Sequence, residues 1–314
     1  MRNRHHLLGW AAVLLVTLAA SYWAFWGVLE AFHEGWWKPT LAGRLLQLLA
    51  YLAPALVLAG LAAVAIRFPR VGAVLFSMVG IVIAALMIWD GAYFGLFITA
   101  TLTLVPALVG LLFLFGRPVP KRAAYGLVLG LPLALIVGLG IEPVIRVSTR
   151  HDDGDRGARL VRGSGVTLLW APAGPGWTRE GLVSWEQAVR RAQHLTADGT
   201  ALADTPQNVW RLPTREEVVC SLTRGGANAG GTWDAARERP HYARRPDKES
   251  PLWDPYAPLI YLWTSEEADD RRAWIVVYHG GVYAKPKAVG SPSFGFRAVR
   301  AATDDPAKGG DKDA

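Results

Sequence analysis

Five stretches of this chain run without Asp, Glu, Lys or Arg: residues 7–29, 45–66, 71–89, 91–116 and 123–141, of 23, 22, 19, 26 and 19 residues. A helix rises about 1.5 Å per residue and a bilayer's hydrocarbon core is about 30 Å thick, so each stretch is long enough to cross. Pro54, Pro106 and Pro132 lie inside these runs. Membrane helices tolerate such prolines because neighbouring helices re-satisfy the freed backbone groups. Only Asp90 separates the third run from the fourth. One re-entrant element is the alternative, but the combined length favours two crossings with a tight turn at Asp90 and Gly91.

The loops give an orientation. Arg2 and Arg4 precede the first run, Arg67 and Arg70 follow the second, and Arg117, Lys121 and Arg122 follow the fourth. The alternate loops carry Glu30, Glu34, Lys38 and Arg44, then Asp90. Short loops rich in Lys and Arg stay in the cytoplasm, so the expected topology has the N-terminus inside and everything after Arg146 outside. Trp23, Trp26, Trp36, Trp37 and Trp89 cluster at the expected outer boundary, where indole rings settle. A cleaved signal peptide is the alternative for the first run, with a weak small-residue site at residues 18–20. The aromatic continuation through Trp26 favours a retained helix, and cleavage would leave the remaining topology unchanged.

Charge divides the chain. Residues 1–146 hold 10 Lys and Arg against 4 Asp and Glu, whereas residues 147–314 hold 23 against 22. The basic pI of about 9.7 therefore belongs to the membrane half, and a basic domain built to grip nucleic acid is excluded in its simplest form. One cysteine, Cys220, excludes a disulfide scaffold and a Cys-rich zinc site. Ionisable groups within a membrane are the usual mark of transport. Here Asp90, Glu142 and Arg146 all lie at run ends, so an anchor or assembly platform is expected in preference to a transporter. Gly126 and Gly130 have the spacing that lets another helix approach closely.

The second half reads as a separate domain. Residues 147–164 look like a linker, and its Asp152-Asp153-Gly154-Asp155 lacks the spacing and closing Glu of a calcium loop. Residues 301–314 are polar and expected to be disordered. Between them, residues 166–171 form an apolar strand. Ser184 and Gln187 form a capping box that opens a helix with Trp185, Ala188, Val189, Ala192 and Leu195 on its inner face and Gly199 as its stop. Thr214 and Glu217 form a second capping box, and Pro213 forces the preceding segment to arrive extended. Strands are expected over 259–264, 274–278, 282–284 and 296–300, the middle pair as a hairpin around His279-Gly280-Gly281. Two helices followed by mostly antiparallel strands make an α+β domain.

These residues resemble a known pattern. Trp177, Ser184-Trp185-Glu186-Gln187-Ala188, Trp210-Arg211-Leu212-Pro213-Thr214-Arg215-Glu216-Glu217, Leu262-Trp263-Thr264-Ser265, Ala273-Trp274, Gly281 and Gly295-Phe296-Arg297-Ala298-Val299-Arg300 come in the order of the C-type-lectin-like domain of the formylglycine-generating (sulfatase-modifying factor) superfamily. The nearest branch is the uncharacterised bacterial domain at the C-terminus of collagen-like adhesins. The resemblance covers about residues 165–300 and implies a C-type-lectin-like fold. The oxidase members hold copper with two cysteines, and this chain has only Cys220. A site that lacks one thiolate loses the soft coordination copper(I) favours, so a diverged oxidase or related modifying enzyme is the alternative rather than the expectation. The calcium-dependent sugar-binding elements of C-type lectins are absent as well.

The motif residues Trp210, Arg211, Leu212, Pro213, Thr214, Glu217, Gly295, Phe296, Arg297 and Arg300 are expected to be structural: Trp210 with Trp263 fills a core, Thr214 with Glu217 caps, and Arg297 ties strands. His241 and His279 lack a metal-spaced partner, and Ser221 lacks an activating base. The long aperiodic stretch 224–258 holds Asn228, Trp233, Asp234, His241, Tyr242, Arg244, Arg245, Trp253, Asp254 and Tyr256. Aromatic and Arg side chains make good recognition anchors, and loops of this length are commonly functional. Trp253 and Tyr256 are expected to be exposed anchors, the alternative being that Trp233 and Trp253 plug the loop onto the core.

The sequence thus predicts an all-α membrane domain of five transmembrane helices followed by an α+β C-type-lectin-like domain. It predicts a multi-pass bacterial protein of the cytoplasmic membrane that presents a non-catalytic recognition domain to the periplasm or exterior for sensing, scaffolding or adhesion. The expected partners are the lipid bilayer and an extracytoplasmic protein or glycan, without nucleic acid, and no cofactor or metal is expected.

Overall fold

A computed structural model describes residues 2–90, 95–176, 183–290 and 293–302. Trp177 of the motif and residues 303–314 of the expected tail lie outside the described residues. The chain forms two compact units, Met1–Ile145 and Arg146–Ala314.

The first unit is helical: α1 (Arg2–Glu30), α2 (Leu41–Arg67), α3 (Pro69–Asp90), α4 (Gly95–Phe115) and α5 (Lys121–Ser148), the last of which runs into the second unit. Four segments, Arg4–Glu34, Leu41–Arg67, Pro69–Trp89 and Lys121–Ser148, are long and apolar enough to cross a membrane. The fourth helix is also apolar, with described side chains from Thr99 onward. The turn expected at Asp90 and Gly91 falls in part outside the described residues, since α3 continues through Asp90.

Glu30 and Glu34, expected in a loop, are helical. α1 passes through Glu30 into a π-helical turn, Ala31–Gly35, because Ala31 and Phe32 still have buried places to fill. Alanines recur on the inner faces beside Val, Ile and Phe, with Ala12 on α1, Ala59, Ala62 and Ala65 on α2, and Ala124 on α5. Lipid tails are as apolar as leucine, so these helices associate by close packing rather than by hydrophobic drive. The Cβ position of Gly80 falls on the Thr103 carbonyl oxygen, so only glycine lets α3 and α4 touch there. Gly126 and Gly130 meet nothing within 4 Å of a Cβ, so among the described residues no helix packs against that spacing. The start of α1 meets the α4–α5 corner: the Arg117 amide donates to the His5 carbonyl at 2.9 Å, and Trp10 Nε1 donates to the Val119 carbonyl at 3.1 Å.

Among the described residues the second unit contains two larger sheets and two two-stranded ones. β1 (Arg159–Arg162), β2 (Thr167–Trp170) and β11 (Val299–Ala301) form an antiparallel sheet in the order β1-β2-β11. β10 (Phe294–Gly295), β7 (Tyr261–Glu267), β8 (Arg272–Val277) and β9 (Val282–Pro286) form the other in that order, with β10 parallel to β7 and the remaining pairs antiparallel. Two capped helices accompany them, α6 (Trp185–His194) and α7 (Arg215–Ser221). Both capping boxes are complete: Ser184 with Gln187, and Thr214 with Glu217.

Four expectations need correction. The stretch 147–164 is no plain linker, because Val161 is buried in the core and draws Arg159–Arg162 into register with β2. Ala301, expected in the tail, pairs with Leu168. Gly199 does not stop α6, which ends at His194 with Leu195 as its C-cap; Gly199 serves a later turn at φ +75°. Of the strand expected over 296–300 only Val299 and Arg300 are in one, β11; residues 296–298 cross from β10 in the other sheet, with Arg297 buried between them.

Arg297 is 2% exposed. Its Nε donates to the Ala171 carbonyl at 2.8 Å, and its Nη1 donates to the Pro251 and Leu252 carbonyls at 2.6 and 2.8 Å. Burial lowers its pKa to about 9, which keeps it charged at neutral pH. Its guanidinium lies 5.9 Å from the Trp170 ring centre, and the same unit's core holds Trp263, Leu252, Phe296 and Ile260. Trp263 Nε1 donates to the Val183 carbonyl at 2.9 Å, and Trp210 Nε1 to the Thr196 carbonyl at 2.9 Å, so both buried indoles are satisfied. Arg297→Met removes the donor for three carbonyls, two of them buried and that of Pro251 partly so, and should destabilise this unit by about 3 kcal/mol. Arg297→Lys should recover only part of that loss, as read by thermal unfolding of the full chain in detergent.

Candidate functional site

The aperiodic stretch contains two hairpins, β3 (Thr223–Arg224) with β4 (Ala227–Asn228), and β5 (Thr232–Asp234) with β6 (Arg239–His241). The second hairpin carries Trp233 up to the start of α7. Pro213 and the Thr214 cap set the direction of α7, so its first residue, Arg215, projects between the hairpin and β8. The Arg215 guanidinium lies 5.0 Å from the Trp233 ring centre and 4.5 Å from that of Trp274. Glu266 on β7 holds it from the side, accepting from Arg215 Nη2 at 3.1 Å and from the Arg215 amide at 2.5 Å. Trp233 and Trp274 are both half-buried, so each keeps some indole surface toward solvent. A cation between two partly desolvated indoles is held by about 0.5–2 kcal/mol per contact. The result is an aromatic shelf, and the hairpin that carries Trp233 also carries the exposed Arg237 and Arg239.

The other expected residues divide between this rim and the interior. Asp234 is tied to its own hairpin turn, accepting from the Ala236 and Arg237 amides at 3.0 Å and from Arg237 Nη1 at 2.9 Å. The Arg237 hydrogen bonds hold its carboxyl below the ordinary carboxylate value. His241 is exposed, with Nε2 3.9 Å from Asp234. Tyr256 is 47% exposed, and Arg244 and Arg245 are exposed as well. Asn228 is occupied, donating to the Cys220 carbonyl at 2.7 Å and accepting from the Gly230 amide at 2.8 Å. Tyr242 Oη donates to the Gly280 carbonyl at 3.0 Å, and burial raises its phenol pKa. Asp254 accepts from Arg156 Nη2 at 3.0 Å.

Trp253 corrects the expectation of an exposed anchor. It is 2% exposed, sits in the core and meets Tyr278 edge-on at 6.4 Å. A long aperiodic segment has to bury some of its own apolar surface to stay attached, and Trp253 with Leu252 does so. The motif residues sit structurally: Trp210, Leu212, Phe296 and Arg297 are buried, and Gly295 is in strand β10. Arg211 pairs with Glu217 at 2.6 Å, and Arg300 lies 4.8 Å over the Trp210 ring. Burial acts to raise the Glu217 carboxyl, but the Arg211 and Thr214 hydrogen bonds outweigh it and leave it low.

Sequence reasoning missed the roles of Arg215, Glu266 and Trp274. Arg215 and Trp274 stood inside the quoted motifs, but nothing in their spacing announces that β8 and the hairpin flank one side chain. It also missed a buried charge cluster. Asp247 and Glu249 are 0% exposed and Lys248 is 3% exposed. Asp247 accepts from Arg146 at 3.1 Å, Arg150 at 2.9 Å and Arg224 at 3.3 Å. Lys248 Nζ donates to the Ala257 carbonyl. Burial, then the Arg150 charge, brings its ammonium pKa down to about 7.

Among the described residues, no three or more His, Cys, Asp or Glu gather to hold a metal. Cys220 is buried, and burial followed by Glu216 raises its thiol pKa, the opposite of an activated thiolate. No protein-family model, curated protein or solved structure matches the chain.

Trp253→Ala should cost about 3–5 kcal/mol of unfolding free energy. Trp233→Ala should leave the melting transition within about 1 kcal/mol, the scale of a partly exposed cation–π contact. Denaturant unfolding separates the two. Lys248 takes a proton less readily folded than unfolded, so its contribution to stability rises from pH 7 toward the unfolded lysine value near 10.4. Lys248→Met should flatten that part of the parent's pH–stability curve, and an unchanged slope would exclude it.

Proposed function

We propose that this is a five-span membrane protein that holds a lectin-like, non-catalytic recognition domain outside the cytoplasmic membrane, for sensing, scaffolding or adhesion. The observation that carries the topology is the hydrogen bonding of the α4–α5 corner to the start of α1. It supports an even number of crossings before α5, and α5 then ends on the side opposite the N-terminus. The basic residues Arg2, Arg4, Arg67, Arg70, Arg117, Lys121 and Arg122 favour a cytoplasmic N-terminus.

The lectin-like assignment rests on the order of the motifs, supported by the two capping boxes and by β10 and β11 placing Arg297 at the centre of the core. The Trp233–Arg215–Trp274 shelf is the surface we assign to recognition of a protein or glycan. Flat indole faces stack on apolar ring faces, and the rim arginines supply hydrogen-bond donors.

An enzyme reporter active only in the periplasm, fused after Ala314, should be active, and a fluorescent protein that matures only in the cytosol should stay dark. The reverse pattern would overturn the topology. A photo-crosslinking residue at Arg237 in the full chain should give an adduct with envelope material that Trp233→Ala removes. An adduct indifferent to Trp233 would remove the shelf from recognition.

A further inference from the structure

We propose that a hollow between α1, α2 and α5 holds one acyl chain of a zwitterionic membrane phospholipid. This inference rests on the membrane-anchor reading and adds a bound lipid to it. The hollow has a volume of about 330 Å³, and every residue that lines it belongs to the first unit. The lining is apolar throughout, with Val28 and Phe32 from α1, Leu48 from α2, and Ile136, Gly140 and Val144 among those from α5. Its origin is local. Ile136, Gly140 and Val144 follow at four-residue spacing and fall on one face of α5, and the middle one has no side chain. A Cβ at Gly140 would meet nothing within 4 Å, so among the described residues no helix closes the space. Val28 and Phe32 are buried, whereas Val137 and Ile141 are more than half exposed. The hollow is therefore walled by α1 and open along the exposed side of α5.

Polarity and size select the occupant. A buried water needs about two to four polar partners, and the lining offers no polar side chain. Left empty, the space would forfeit the dispersion contacts its walls can make. A protein segment is too large. One turn of helix, about 10 Å across and about 5.4 Å tall, fills about 420 Å³. A stable protein interface takes about 20–30 residues a side, and nine line this hollow. A slender hydrocarbon fits, and in a bilayer acyl chains surround the open side. Val28, Phe32, Leu48 and Val144 all lie within about two turns of a span end, so a chain can enter while its headgroup stays at the interface. The α1–α2 corner at that end carries Lys38 and Arg44 against Glu30 and Glu34. Such a balanced set complements a phosphate and an amine together, which a zwitterionic headgroup supplies and a net anionic one does not.

The test uses the full chain in nanodiscs that contain a trace of phosphatidylethanolamine with a diazirine in its acyl chain. Irradiation followed by peptide mass spectrometry locates the adducts. Dilution with detergent before irradiation should spare adducts at Phe32 and Ile136 and remove those at the exposed Ile81 and Leu104. The ratio of hollow to exposed adducts should rise about tenfold, equivalent to about 1.4 kcal/mol of retention. Gly140→Phe fills the hollow and should abolish that rise, and Gly126→Phe, on the same helix outside the hollow, should leave it intact. Gly140→Val should reduce the rise in part and serves if the larger side chain prevents folding. Excess unlabelled phosphatidylethanolamine should displace the hollow adducts more than the same excess of phosphatidylglycerol. Equal loss at both places on dilution, a rise indifferent to Gly140→Phe and Gly140→Val, or equal displacement by the two lipids would overturn the proposal. Absence of adducts at Ile81 and Leu104 before dilution would instead overturn the membrane reading on which it rests.

Discussion

The second unit depends on one buried cation. Arg297 donates to carbonyls from two distant parts of the chain, Ala171 after β2 and Pro251 with Leu252 in the aperiodic stretch. None of those carbonyls belongs to a sheet ladder at that point, so without the guanidinium each would be an acceptor left unpaired. Arg is suited to the place because it offers several donors in a fixed plane and stays charged even when desolvated. The break between β10 and β11 follows from this demand. A continuous strand over 296–300 would leave the chain in one sheet and take the side chain away from its acceptors.

The same economy governs the segment from Asp247 to Ser250. Two carboxylates and an ammonium with almost no exposure would be severely destabilising if left alone. They are accommodated by dense pairing: three arginines on Asp247, Arg224 with the Gly225 and Gly226 amides on Glu249, and a carbonyl for Lys248. The depressed Lys248 pKa shows where compensation is least complete. Pairing of this density orders a stretch that has little regular structure. The β5–β6 hairpin precedes that stretch in the chain, and its Trp233 lies against Arg215. The Trp233–Arg215–Trp274 cluster and the buried charges thus both draw on the stretch between α7 and β7.

Much of this was legible in the sequence. The uncharged runs announced the helices, since period and face hardly matter where both helix and solvent are apolar. Ser184 with Gln187 and Thr214 with Glu217 announced two helix starts, because capping is a local hydrogen-bond exchange over four residues. The β8–β9 hairpin was visible around Gly280. What failed were inferences that needed a partner from elsewhere. β1 has only four residues and an arginine at each end, and it is a strand because β2 accepts it. Trp253 and Trp233 look alike in the sequence, yet one is core and the other rim.

The sequence alone determined the helical membrane half, its charge asymmetry, the two capped helices and the absence of a cysteine pair, because each rests on composition or on neighbours within a few residues. Only the tertiary structure decided which aromatic residues of the long loop face outward, that Arg215 is clasped by two indoles, and that Arg297 and Asp247 are buried and satisfied. Those outcomes depend on groups far apart in the chain meeting within about 3–5 Å, as a buried charge requires. No local pattern encodes such a meeting.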